Sequence, residues 1–115
     1  MAVAKLQGSG NLNEIVRQAT DGMLKTGLSV ELIDEAHYQF GEHQFVVQVY
    51  EQYFMRAGNR LSITVSYAAD GNRVSLRCVG AAGGQGPIFK FSWGSEKSMV
   101  NSFVAVAERL GFQEV

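Results

Sequence analysis

The sequence is short of charge. Asp, Glu, Lys and Arg make up 18% of it, below the usual quarter. With 10 basic and 11 acidic residues the net charge is near zero. That excludes the broad basic field on which non-specific nucleic-acid binding depends, and no acidic or basic tail is present. A surface poor in charge is weakly defended against association, so self-association is expected. There is one cysteine, Cys78. A disulfide within the chain is excluded, and so is a secreted, disulfide-stapled scaffold. No apolar run approaches the length of a membrane span. Met1-Ala2-Val3-Ala4-Lys5 carries no apolar signal segment. The expected setting is a reducing cytoplasm, with no membrane and no nucleic acid among the partners. Proline occurs once, at Pro87, whereas glycine occurs 13 times, mostly between periodic segments where turns need positive φ.

No linker, repeat or biased run divides the chain, so residues 1–115 read as a single α+β domain. Ala2 to Gln7 reads as a short edge strand. Asn11 followed three residues later by Glu14 matches a capping box. Leu12, Ile15, Val16, Ala19 and Met23 then form one helical stripe, closed by Lys25 and Gly27. From Leu28 the period changes to two, through Val30 and Leu32 and on to Phe40. Gly41-Glu42 is a two-residue turn, and Phe45 to Phe54 is the next strand. Leu61, Ile63, Val65 and Tyr67 alternate with Ser62, Thr64 and Ser66 in the cleanest half-buried strand.

Asp70-Gly71 is a hairpin signal. Pairing across it sets Tyr67 beside Val74, Val65 beside Leu76 and Ile63 beside Cys78. Phe89, Phe91 and Trp93 suggest a last strand. Ser95 caps a final helix with the stripe Met99, Val100, Phe103, Val106, Ala107 and Leu110, and Gly111 with Phe112 suggests a Schellman stop. The order is β-α-β-β-β-β-β-α: an antiparallel meander of five to six strands with both amphipathic helices packed on its one apolar face.

Few residues carry chemistry. His37 and His43 flank the Gly41 turn, but alternation points them to opposite faces, so they do not read as a metal pair. Cys78 falls on the core face and has no base beside it, which makes it a structural thiol. The Gly-rich loop from Gly80 to Pro87 leads into a strand and lacks a lysine, so it is no phosphate cradle. No metal, cofactor or catalytic set is called for.

The more informative cluster is Tyr50, Glu51, Tyr53 and Arg60 around the turn at Gly58-Asn59. If Phe45, Val47 and Val49 face the core, Glu51 and Tyr53 follow them, and a buried carboxylate needs a partner. The alternative is a β-bulge that returns Glu51 to solvent. Arg73, Arg77 and Lys90 share the polar sheet face with Tyr50 in this reading.

Val49-Tyr50-Glu51-Gln52-Tyr53 and Gly58-Asn59-Arg60-Leu61-Ser62 resemble a family of short bacterial proteins classed as a domain of unknown function. That family has no established activity, so the resemblance implies no catalytic residue. A helix, a meander and a long C-terminal helix are also similar, by fold analogy, to small helix-grip domains. Those hold ligands between sheet and helix.

The leading expectation is therefore a non-catalytic binding or assembly module that self-associates through its polar sheet face. The alternative is a binder of a small apolar ligand between the C-terminal helix and the sheet, with Tyr50, Tyr53, Arg60, Trp93 and Phe103 at the site and Glu51 orienting the ligand. An enzyme using Glu51 or a histidine as general base ranks last.

Overall fold

The computed structural model of the chain describes residues 2–26, 29–54, 59–82 and 95–115. Strand β1, Ala2–Ser9, comes first. Asn11 follows and accepts a hydrogen bond on its side chain from Glu14 N at 3.0 Å, satisfying one of the free amides at the start of helix α1, Leu12–Leu24. The expected stripe is the face that α1 buries: Leu12, Ile15, Val16, Ala19 and Met23.

Four long strands succeed one another as hairpins: β2 (Val30–Phe40), β3 (His43–Phe54), β4 (Asn59–Asp70) and β5 (Arg73–Ala82). Helix α2, Ser95–Arg109, returns across the sheet. It ends in the expected Schellman turn. Phe112 N donates to Ala107 O at 3.1 Å, Gly111 N donates to Glu108 O at 3.0 Å, and Gly111 has φ +96°. A short strand β6, Gln113–Glu114, closes the chain.

The strands form one six-stranded antiparallel sheet in the order β2-β3-β4-β5-β1-β6. Both helices lie on one face, as the pattern of the sequence requires. The first strand is longer than the expected edge segment and is paired on both sides, with β5 and with β6. The expected strand over Phe89–Trp93, like Gly27, Leu28 and Lys90, lies outside the described residues.

Two expectations about register are corrected. The turn between β4 and β5 is Gly71-Asn72, because Asp70 pairs with Arg73. Tyr67 therefore faces Leu76, Val65 faces Cys78 and Ile63 faces Gly80, two residues from the expected partners. The reason is local: Gly71, at φ +63°, occupies the first turn position while Asn72 keeps a negative φ, the demand of a turn with glycine first. A shift of two leaves every side chain on its face, so the core set of β4 and β5 stands as read.

The second correction concerns β3. Its buried residues are Val46, Gln48, Tyr50 and Gln52, and Phe45, Val47, Val49, Glu51 and Tyr53 point away from the helices. Pairing forces this, since Tyr50 faces Ile63 and Gln48 faces Val65, and β4 has only one apolar side to offer the core. No bulge is needed to expose Glu51. The irregularity lies instead in β2, between Leu32 and Asp34.

The core joins the inner faces of β1, β3, β4 and β5 to both helix stripes, with Tyr50, Met23, Ile63, Val65, Cys78, Phe103 and Ala107 at 0% exposure. Close approach is built in with glycine. A Cβ added at Gly22 of α1 would sit 2.6 Å from Val106 Cγ1 of α2, so glycine is what lets the helices touch.

Candidate functional site

The six residues singled out from sequence do not form one site. Tyr50 and Phe103 are fully buried on the helix side of the sheet. Glu51, Tyr53 and Arg60 sit together on the opposite side. Arg60 Nη1 donates to Glu51 Oε1 at 3.1 Å, and the Arg60 guanidinium lies 5.9 Å from the centre of the Tyr53 ring. Trp93 lies outside the described residues. Arg73 and Arg77 are exposed on the same outer face as Glu51, whereas Tyr50 is not on that face. The two histidines do diverge: Phe40 pairs with His43 and His37 pairs with Val46. Among the described residues no three His, Cys, Asp or Glu side chains gather as a metal site. No described helix is long and apolar enough to cross a membrane.

The helix side holds a polar network that sequence reasoning missed. Gln48, at 0% exposure, uses its whole amide. Its Nε2 donates to Thr20 Oγ1 at 2.8 Å and to Glu35 Oε1 at 2.7 Å. Its Oε1 accepts from Tyr50 OH at 2.9 Å and from Tyr67 OH at 2.7 Å. Thr20 Oγ1 in turn donates to Val16 O at 2.8 Å. His37 Nε2 lies 2.7 Å from Glu35 Oε2 and carries the chain to solvent.

The electrostatics follow from placement. The bond to His37, helped by that from Gln48 and opposed by burial, holds the Glu35 carboxyl below the usual range. Burial pushes the Tyr50 hydroxyl up to about 12, raises Tyr67 further, and pushes the Cys78 thiol up to about 12. These groups stay neutral through the physiological range, and Cys78 is no nucleophile. The network ties α1 to β2, β3 and β4 with every polar atom of Gln48 satisfied. Its only sequence signal is a glutamine standing between Val46 and Tyr50 on one face, which is visible once that face is known.

Among the described residues, no helix lies on the opposite side of the sheet. Across its middle run Val47 and Val49 of β3, Ser62, Thr64 and Ser66 of β4, and Val79 of β5, with Phe45 and Ala68 beside them. Tyr38, Phe40, Tyr53 and Val3 are 51%, 65%, 48% and 48% exposed. A shallow groove of about 340 Å³ at one end is lined by Gln7, His43, Phe45, Asp70, Arg73 and Ser75. There Asp70 holds His43 at 3.6 Å and Arg73 at 3.5 Å.

The class these features define is an α+β domain with one antiparallel sheet, helices on one face and the other face uncovered among the described residues. The chain belongs to the DUF6054 family, a family of unknown function, whose family model matches residues 1–111. Comparison with curated proteins finds no match.

Proposed function

We propose that this chain is a non-catalytic assembly module that docks through the open face of its sheet. The observation that carries the reading is that face itself. A sheet this wide normally buries both sides or keeps one strongly polar, yet here valines, tyrosines and phenylalanines alternate with serine and threonine on the bare side. Contiguous apolar surface rimmed by polar residues marks an interaction site. The chemistry agrees: the polar groups around buried Gln48 are consumed by one another, and the outer carboxylate Glu51 is engaged by Arg60.

Native mass spectrometry and sedimentation test the proposal, on the native chain and on the Val47→Arg, Val49→Arg double variant. The expected result is a species larger than one chain that the double variant disperses, with amide exchange slowed in β3 and β4. A protein that stays a single chain at high concentration would count against the proposal. A small molecule retained between α2 and the sheet would favour the ligand-binding alternative, for which Tyr50 and Phe103 are the residues in place.

A further inference from the structure

We infer that the occupant of the open face is a second copy of this chain, related by a two-fold axis parallel to the strands and running along β4. The inference rests on the open face being the docking surface. Its first support is an arrangement of like charges. On that face Lys5 of β1 stands directly opposite Arg77 of β5, and Glu31 of β2 stands directly opposite Glu51 of β3, whose carboxylate Arg60 already holds at 3.1 Å. Asp34, also on β2, faces outward beside Val49. Like charges directly across a strand pair repel. The basic pair and the acidic group lie toward opposite edges of the face. β1 and β2 are separated by three strands, which at about 4.8 Å per strand is on the order of 19 Å, beyond a Debye length in physiological salt. Within one chain Lys5 and Arg77 cannot neutralise Glu31 and Asp34.

A second copy can do so in one orientation only. Rotation about an axis parallel to β4 lays β2 of one copy over β1 of the other and β3 over β5. The acidic edge of each then covers the basic edge of its partner. Asp34 stands one side-chain row from the level of Lys5, since the ladder through Lys5 and Arg77 continues to Ser66, Val47 and Ala36. Rotation about an axis across the strands would instead stack acid on acid and base on base.

The area is sufficient. Five strands at about 4.8 Å spacing, each about ten residues long at roughly 3.3 Å per residue, present on the order of 800 Å². That is what each partner contributes to a stable interface of ordinary size. Pairing edge to edge through β2 is opposed by the break in register at Ile33 and by Glu31, Asp34 and Glu35 on that strand.

The test uses two charge-reversed chains, Lys5→Glu with Arg77→Glu and Glu31→Lys with Asp34→Lys, all at exposed positions. Sedimentation equilibrium gives the dimer dissociation constant of each chain and of their equimolar mixture. The expected result is a dissociation constant raised at least tenfold for each variant alone. In the mixture a dimer of unlike chains should form with near-native affinity, because both edges are again complementary. Near-native self-affinity of both variants would overturn this arrangement. If Val47→Arg with Val49→Arg still disperses the dimer in that case, the open face stands and only the arrangement fails. A native chain that is monomeric throughout, or a dimer that neither set of changes touches and that therefore forms elsewhere, overturns the second copy as occupant of the open face and the docking face together.

Discussion

Gln48 shows how much a single side chain can hold in place. Its amide is the meeting point of Thr20, Glu35, Tyr50 and Tyr67. Truncating it strands the buried Tyr67 hydroxyl and leaves Tyr50 only its longer contact to Thr20 Oγ1 at 3.3 Å, and each unsatisfied group costs about 1–3 kcal/mol. Gln48→Ala is expected to lower the unfolding free energy by about 3 kcal/mol. Tyr67→Phe removes one donor from an acceptor that keeps Tyr50, and should cost only about 1 kcal/mol. Urea denaturation of the two variants checks the ratio. Glu35 makes a separate prediction. Its carboxyl is held low in the folded chain by His37 first and by Gln48. A group with a lowered folded pKa adds stability above its unfolded value, roughly 4.3 for glutamate, and that stability is lost as pH falls through the folded value. Glu35→Gln should therefore flatten the acid limb of the stability profile below roughly pH 4.3, as read from urea midpoints across that range. An unchanged limb would mean the carboxyl gains nothing from its partners.

At the scale of elements, the two helices meet through a glycine. Gly22 lies where a Cβ would come within 2.6 Å of Val106 Cγ1, far inside normal contact. Alanine is the better helix former by about 1 kcal/mol, so propensity alone predicts that Gly22→Ala stabilises. Packing predicts the reverse, because overpacking costs typically 1–3 kcal/mol and the branched Val106 side chain has little room to turn. The expected outcome is a net loss of about 1 kcal/mol, with Val106→Ala in the same chain relieving part of it. Thermal unfolding of the single and double variants decides which effect wins. The edge strand β2 shows the opposite policy. It is guarded by acids and a break in register, which keeps a long strand from templating another sheet.

For the whole molecule, the core is continuous from α1 through the sheet to α2, and Cys78 lies inside it at 0% exposure. Its thiol is pushed up to about 12 by burial, so a thiol reagent can reach a reactive form only when the chain opens. Labelling of Cys78 is expected to follow global unfolding, negligible in buffer and accelerating with urea in step with the unfolding free energy. Mass spectrometry after timed alkylation measures it. Rapid labelling of native protein would show that the sheet opens locally at β5. The same continuity explains the bare side. Both described helices are spent on one face, and no described element forms a third layer over the other.

The sequence by itself determined the elements and their caps. The stripe of α1, the Asn11 cap, the strict alternation of β4 and the Gly111-Phe112 stop are each written in residues close along the chain, where side-chain period and backbone freedom act directly. It also determined that both helices share one sheet face. Tertiary structure alone decided which side of β3 is inside. Phe45, Val46, Val47 and Val49 offer apolar residues to both faces, so period two is silent there, and only pairing with β4 turns Gln48 and Tyr50 inward and Glu51 outward. The candidate site divided for that reason, with Tyr50 and Phe103 on one side of the sheet and Glu51, Tyr53 and Arg60 on the other. The network around Gln48 joins residues 28 and 30 positions apart along the chain. The opposition of Lys5 to Arg77 joins the first strand to the fifth. Such long-range pairings have no local signature, because their partners are chosen by the register of the sheet and by the helices that cover it.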